Sequence, residues 1–100
     1  MTSPGAESLR LDKYLWFARL TKTRAAAQLL CAEGRMRLGG RLVDRAHLAV
    51  RVGDVLTFAL HGRVRVIRIL ALPARRGPAA EAALCYVEIG DAVDGREPPT

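Results

Sequence analysis

The first part of the chain has the hydrophobic spacing of helices. Between residues 9 and 20, apolar positions recur at intervals of three and four, so that Leu11 and Leu15 share one face, and this predicts a first helix. A second helix is predicted from Thr23, a residue type that caps helix N-termini, to Gly34, which is typical of helix ends. Two short helices in succession therefore open the fold.

Within the second predicted helix, the apolar residues indicate which face is buried. We expect Ala26, Leu29 and Leu30 to face the core. Arg24 and Gln28 are four residues apart, so they share a different face of the same helix.

Strand-like patterns follow the helices. Residues 35–38 alternate strictly between arginine and apolar side chains, and Gly39-Gly40 is a two-residue hairpin signal before a returning strand over residues 41–43. This spacing predicts that Arg35 and Arg37 point to the same side and that both cluster with Arg41.

The second half of the chain is predicted to be mainly strands, at residues 55–60, 63–72 and 85–89, after a connector over residues 44–54. Residues 79–84 fit either a helical turn or the lead into the last strand. Residues 1–8 and 91–100 have the composition of a flexible start and a disordered acidic tail.

Charge changes the picture from a generic small domain to one with a basic surface. The 100 residues carry a net charge of +6. Nine cations and three acids lie between Arg10 and Arg45, whereas five acids and one cation follow from Glu81 onward. Arginine, which supplies 14 of the 16 cations, forms bidentate contacts with phosphate, although a biased genome composition gives the same excess. The concentrated charge indicates an electrostatic footprint for nucleic acid.

The start of the second helix carries part of this charge, on Arg19, Lys22 and Arg24. Free backbone N–H groups and the helix dipole make a helix N-terminus suitable for a bound phosphate. Solvated cations in a surface loop are the alternative. These residues alone do not decide between the two.

Several classes of function are disfavoured by the sequence. Cys31 and Cys85 stand far apart, without a nearby histidine, so we expect two free buried thiols and no metal or other cofactor. No phosphate loop or nucleophile–base pair is recognisable, so we expect no enzymatic activity. The first residues do not resemble a signal peptide, and no apolar run is long enough to span a membrane. A cytoplasmic protein that does not bind membranes is expected.

The order of these features resembles an RNA-binding domain. Arg10-Leu11-Asp12 opens the first helix, Thr23-Arg24 opens the second, Gly34 ends it, and Val52-Gly53-Asp54 precedes a strand. Together they resemble the S4 domain, which is named after the fourth protein of the small ribosomal subunit. The resemblance implies an α+β fold in which two helices pack on a small, mostly antiparallel sheet. It implies an S4-type domain over residues 9–58, with residues 59–90 as a C-terminal β extension and residues 91–100 as the tail.

Two longer segments, RLDKYLWFARLTKTRAAA and RRGPAAEAALCYVEI, are similar to the bacterial heat-shock protein 15 family. This resemblance implies binding to ribosomal RNA of the large ribosomal subunit. It also implies a role in rescuing or recycling subunits blocked by a nascent chain on tRNA under heat stress. Ribosomal RNA and the large subunit are the expected partners, tRNA is a further candidate, and the protein is expected to be a monomer.

The resemblance places the RNA contacts on the second helix and the hairpin. Carried over residue by residue, the predicted RNA-binding residues are Arg10, Lys13, Arg19, Lys22, Thr23, Arg24, Gln28, Arg35, Arg37 and Arg41. Two other functions stay open. The chain could serve an RNA-modifying enzyme as an accessory module, or it could be a DNA-binding regulator.

Overall fold

The computed structural model of the chain describes residues 7–90. Its elements, in chain order, are β1 (Leu9–Arg10), α1 (Leu11–Phe17), α2 (Arg24–Ala32), β2 (Arg37–Leu38), β3 (Arg41–Leu42), β4 (Ala49–Val50), β5 (Val55–Leu60), β6 (Arg63–Ile69), α3 (Ala79–Ala82) and β7 (Tyr86–Gly90), with a 3₁₀ turn over Ala83–Cys85 between α3 and β7. The α+β class is confirmed. The predicted flexible start and acidic tail lie largely outside the described residues.

Two antiparallel sheets organise these elements. The larger has the strand order β3-β2-β5-β6-β7, and the smaller pairs β1 with β4. In the larger sheet Leu56 of β5 lies opposite Ile67 of β6, and both side chains are fully buried. Leu11, Tyr14 and Leu15 of α1 belong to the same hydrophobic core. The helices therefore pack against one face of this sheet.

The first helix is shorter than predicted because its ends are occupied by other interactions. Leu9 and Arg10 pair with Val50 and Ala49 instead of extending the helix. Backbone N–H groups at the start of α1, which have no partner within the helix, donate to carbonyl groups of the connector. The distance from Leu11 N to Leu48 O is 2.8 Å. Helices must satisfy these groups in some way, and here the connector replaces a capping side chain. The sequence alone did not reveal the β1–β4 pairing.

The second helix begins as predicted, but its buried face is rotated from the prediction. The Thr23 hydroxyl accepts from Ala26 N at 3.0 Å and caps the helix. Ala27, Leu30 and Cys31 are buried, whereas Leu29 is 66% exposed. The prediction that Leu29 faces the core was therefore wrong, whereas Ala26 is half-buried. A helix rich in alanine has little apolar contrast around its circumference, so its rotation is set by the partner it packs against.

The hairpin and later strands agree with the pattern, with shifted ends. Gly39 and Gly40 have φ of 58° and 93°, as a tight two-residue hairpin turn requires. The predicted strand over 35–38 is paired only at Arg37–Leu38, and the strand predicted to reach residue 72 ends at Ile69. Residues 79–84 form a helical turn, which resolves the open alternative. The domain boundary predicted after residue 58 falls inside β5 and stays a prediction.

Candidate nucleic-acid interface

A buried carboxylate organises part of the predicted interface. Asp12 of α1 is fully buried. Its Oδ1 and Oδ2 accept from Arg10 Nε and Nη2, both at 3.0 Å. Oδ2 also accepts from Arg24 Nε at 3.3 Å and from Gln28 Nε2 at 3.1 Å. Three predicted RNA-binding residues, from β1 and α2, therefore converge on one carboxylate, and we call these four residues the Asp12 cluster.

Asp12 stays ionised in this environment. Burial by itself raises the pKa of a carboxyl group, but hydrogen bonds from Arg10 and Gln28 and the positive charges of Arg10 and Arg24 oppose it. The net effect is a pKa of Asp12 below its usual value. The carboxylate is therefore a permanent acceptor that fixes the positions of its partners.

The cluster leaves donors available for a ligand. Arg24 uses only Nε on Asp12, and within residues 7–90 its two Nη nitrogens have no hydrogen-bond partner. The Arg10 and Arg24 side chains are 46% and 35% exposed. A guanidinium held at one edge and open at the other is suited to bind a phosphate. Lys13 is next to this cluster, and its backbone N–H donates to Asp12 Oδ1 at 2.9 Å.

Three other predicted residues lie on the opposite flank of α2. Arg19, Lys22 and Arg35 line a groove between α2 and the turn that joins β5 to β6. Thr23 lies between Lys22 and Arg24 in sequence, and its hydroxyl is used in the helix cap. The predicted residues are thus divided between two sides of one helix.

The loop over residues 73–78 supports the turn between α1 and α2. Arg19 Nε donates to Gly77 O at 2.5 Å, and Arg76 Nη2 lies 3.4 Å from Lys22 O. The left-handed backbone of Arg19, with φ of 61°, ends α1 and reverses the chain there. The C-terminal extension therefore fixes the shape of the turn that carries Arg19 and Lys22.

The hairpin arginines do not form the single cluster that the sequence predicted. In the β2–β3 register, Arg37 lies opposite Leu42 and Arg41 lies opposite Leu38. Directly opposed residues share a face of a sheet, so Arg37 and Arg41 point to opposite faces. Arg37 Nη1 donates to Gly40 O at 3.2 Å, and both arginines are exposed. The prediction failed because the two-residue turn pairs position 37 with position 42. Positions 37 and 41 therefore fall on opposite faces of the sheet.

Sequence reasoning also missed the position of Arg65. Its side chain shares the inner face of the sheet with Phe58, which lies directly opposite on β5. Its guanidinium forms two hydrogen bonds with Glu88, at 3.1 and 2.8 Å, and lies 5.8 Å from the Phe58 ring centroid. The hydrogen bonds to Glu88 raise the pKa of Arg65 above its ordinary value, although burial acts in the opposite direction. The strict alternation with Ile67 and Ile69 was the signal that could have placed it inward.

Among residues 7–90, no three histidine, cysteine, aspartate or glutamate side chains come together as a metal-binding group. The helices of this part of the chain are all too short, or too polar, to cross a membrane.

Comparison with known proteins places this geometry in context. The model of the family described as S4 domain matches residues 9–56. The chain is 35% identical over 97 residues to heat shock protein 15 of Escherichia coli K12, covering 97% of this chain and 72% of that protein. It is 34% identical over 61 residues to the RQC P-site tRNA stabilizing factor of Halalkalibacterium halodurans, covering 61% of this chain and 68% of that protein. A solved structure of Vibrio cholerae heat shock protein 15, described as trimeric, matches with a TM-score of 0.77 and 31% identity over 83% of each chain.

Proposed function

Because the chain belongs to the heat shock protein 15 family and carries an S4 domain, we propose that it binds ribosomal RNA of the large subunit through the two flanks of α2. The observation that carries this proposal is the Asp12 cluster. It holds two arginines and a glutamine together before any ligand arrives. Side chains that are already ordered lose less entropy on binding, so their contacts contribute more to affinity.

The recognition is proposed to depend on RNA shape. The exposed groups on this surface are guanidinium and ammonium donors, which contact phosphates and 2′-hydroxyl groups. Structured RNA is read mainly through such contacts, because its narrow major groove excludes side chains. Arg10, Arg24, Arg37 and Lys22 then position the protein on the RNA, while base contacts contribute less.

The biological target is proposed to be a large subunit that still holds a nascent chain on tRNA. The name of the H. halodurans relative, a P-site tRNA stabilizing factor, supports this extension of the family role. The protein would act in rescue or recycling, under heat stress, and tRNA would be a second contact. A ribosome-bound protein would act in the cytoplasm, the location that the sequence predicts.

The protein is proposed to act by binding and not by catalysis. Asp12, the one fully buried carboxylate within residues 7–90, is held ionised by two arginines. A carboxylate with a lowered pKa and five hydrogen-bond donors is a poor proton acceptor, and its geometry suits positioning. The monomer expected from the sequence stays a prediction, which light scattering during size-exclusion chromatography tests.

Co-sedimentation with large ribosomal subunits tests the proposed function. Subunits with and without a trapped peptidyl-tRNA are compared at two salt concentrations. We expect preferential binding to the tRNA-loaded subunit, weakened by Arg24→Glu and by Arg37→Glu. Arg37 is the safer variant, because its described hydrogen bond is to the exposed Gly40 carbonyl.

Arg68→Glu is the matched control. It makes the same change in net charge, and Arg68 is exposed on the sheet face opposite the buried Ile67 and Ile69. Arg37 shares that face but lies two strands away, on β2. Unchanged binding by both Arg24→Glu and Arg37→Glu would contradict the proposal. Equal affinity for naked RNA and both subunit forms would limit the function to general RNA binding. Binding only to a partner enzyme, or a preference for duplex DNA, would support the alternative functions instead.

A further inference from the structure

The groove between α2 and the β5–β6 turn has the size and lining of a ligand site. Its volume is about 690 Å³, within the range of small-molecule sites. Arg19, Lys22 and Arg35 contribute three positive charges to the lining, Arg65 adds one that is paired with Glu88, and Glu33 is the one acid among the described residues that line it. The charge balance favours an anionic occupant.

The groove also has an apolar part. Leu29 of α2 is 66% exposed and lines the groove together with Ala26 of the same helix and Leu60 of β5. α2 buries Leu30 and leaves Leu29 in solvent, which costs hydrophobic stabilisation that the helix could otherwise gain. A ligand with both a negative charge and a flat apolar surface would match both parts of the lining.

Backbone strain is concentrated at the same place. Within residues 7–90, the non-glycine residues with positive φ are Arg19, at 61°, and His61, at 55°. Both line this groove, one from the α1–α2 turn and one from the β5–β6 turn. Left-handed backbone at such residues costs free energy, and here each residue is part of a tight turn: Arg19 follows the end of α1, and His61-Gly62 is the two-residue turn between β5 and β6. Both turns that border the groove therefore have defined backbone conformations.

We propose that this groove receives one unpaired nucleotide of the bound RNA. Its phosphate would lie beside Arg19, Lys22 and Arg35, and its base would pack against Leu29 and Leu60. The proposal rests on the proposed RNA-binding function and adds to it a preference for RNA that contains an unpaired nucleotide. A paired base is stacked in its helix and cannot enter a side groove, whereas an unpaired base can be turned outward. RNA contacted by the Asp12 cluster on one flank of α2 would thus place such a nucleotide on the other flank.

Three matched RNA hairpins test the groove with the full chain. They share one stem, which is fully paired, or interrupted by one unpaired nucleotide, or interrupted by one abasic nucleotide. Affinities are measured by fluorescence anisotropy at constant salt. We expect the unpaired nucleotide to tighten binding by about 3- to 10-fold over the paired stem, or roughly 0.6–1.4 kcal/mol. The abasic hairpin keeps the phosphate and the flexibility but lacks the base, so most of the gain should disappear.

Leu29→Ala should remove this preference and leave the affinity for the paired hairpin unchanged, because alanine preserves the helix and the charge. Leu84→Ala is the matched control, since Leu84 is 73% exposed and outside the lining. His61→Gly tests the contribution of the β5–β6 turn to the groove. It removes the His61 side chain from the lining, and glycine adopts the left-handed backbone there without strain. It should keep the protein folded while weakening the preference.

The outcomes distinguish a failure of the groove proposal from a failure of the proposed RNA-binding function. Equal binding of all three hairpins, with Arg24→Glu weakening each of them, would overturn the groove and leave the proposed function intact. Equal binding of the bulged and abasic hairpins would also overturn it, since flexibility alone would then explain the gain. If no hairpin bound, or if neither Arg24→Glu nor Arg37→Glu weakened the binding of any of them, both proposals would fail.

Discussion

The Tyr14 hydroxyl donates a hydrogen bond to the Cys85 carbonyl at 2.9 Å, across 71 residues of sequence. It joins α1 to the segment just before β7, and both residues are buried. The same carbonyl accepts from Leu70 N at 2.8 Å. The S4-like helices and the C-terminal strands are therefore connected through the core of the protein.

Tyr14→Phe should destabilise the fold only modestly. The lost hydrogen bond costs about 0.5–1.5 kcal/mol, and the lower end is expected because Cys85 O keeps its bond from Leu70 N. Urea unfolding at neutral pH measures the change. A loss of several kcal/mol would show that the hydroxyl has a larger role in packing than this geometry indicates.

The same substitution should reduce sensitivity to alkali. Burial is the main reason that the pKa of Tyr14 is raised above its ordinary value of 10.0. Above that pH the unfolded chain loses the proton before the folded chain does, so stability falls as the pH rises. The difference in unfolding free energy between wild type and Tyr14→Phe should therefore shrink, or reverse, above pH 10. A constant difference from pH 7 to pH 11 would contradict this explanation.

Asp12→Asn should destabilise the protein and change its response to acid. Losing the charge weakens the contacts with Arg10 and Arg24, for which we expect a cost of about 1–3 kcal/mol. Since the pKa of Asp12 is below its ordinary 3.8 when folded, the stabilisation is present above that pH and is lost as the pH falls through the folded pKa. Unfolding curves between pH 2 and pH 7 should converge for the two proteins at the acid end. Parallel curves would argue against an ionised Asp12.

Thr23→Ala should lower stability by about 1 kcal/mol, because it removes the cap on α2. Thr23→Ser keeps the hydroxyl and is the control, with little change expected in thermal unfolding. RNA affinity measured where both variants are folded then tests the predicted RNA contact at Thr23. Equal loss of stability in both variants would mean that the methyl group, and not the cap, supplies the stabilisation.

The salt dependence of RNA binding should report individual phosphate contacts. Arg37→Ala is expected to reduce the slope of log affinity against log salt by roughly 0.7–0.9, the value for one phosphate contact. Arg68→Ala, on the same sheet face but two strands away on β6, should leave the slope unchanged, because the proposed contact is on the hairpin. A loss of affinity without any change in slope would assign Arg37 a contact other than phosphate.

Cys31 should react slowly with alkylating reagents in the folded protein. Burial, with a smaller contribution from the Asp12 charge, raises the pKa of the Cys31 thiol to about 11. The thiolate is the reactive form, so at pH 8 both burial and protonation protect this residue. Mass spectrometry after iodoacetamide treatment should show Cys31 modified at the rate of unfolding. Rapid modification in native buffer would indicate local opening around α2.

Local features of this fold could be predicted from the sequence. The Thr23 cap, the Gly39-Gly40 turn and the strand over residues 55–60 depend on neighbours a few residues away. The excess of basic charge and the order of the S4-like marks were likewise readable, and they led to the family. Each of these features depends on residue type and order along the chain, so no tertiary contact was needed to predict it.

Tertiary structure decided how the basic residues are arranged. Asp12 gathers Arg10, Arg24 and Gln28 because α1 and α2 pack side by side, a contact that spans up to 16 residues. The β1–β4 pairing shortens α1, and the core chooses the face of α2 that alanine-rich sequence leaves open. The groove that Leu29 lines exists only because the β5–β6 turn comes next to that helix. Burial and long-range hydrogen bonding select among arrangements that local preference leaves nearly equal in free energy, and this selection places the candidate site.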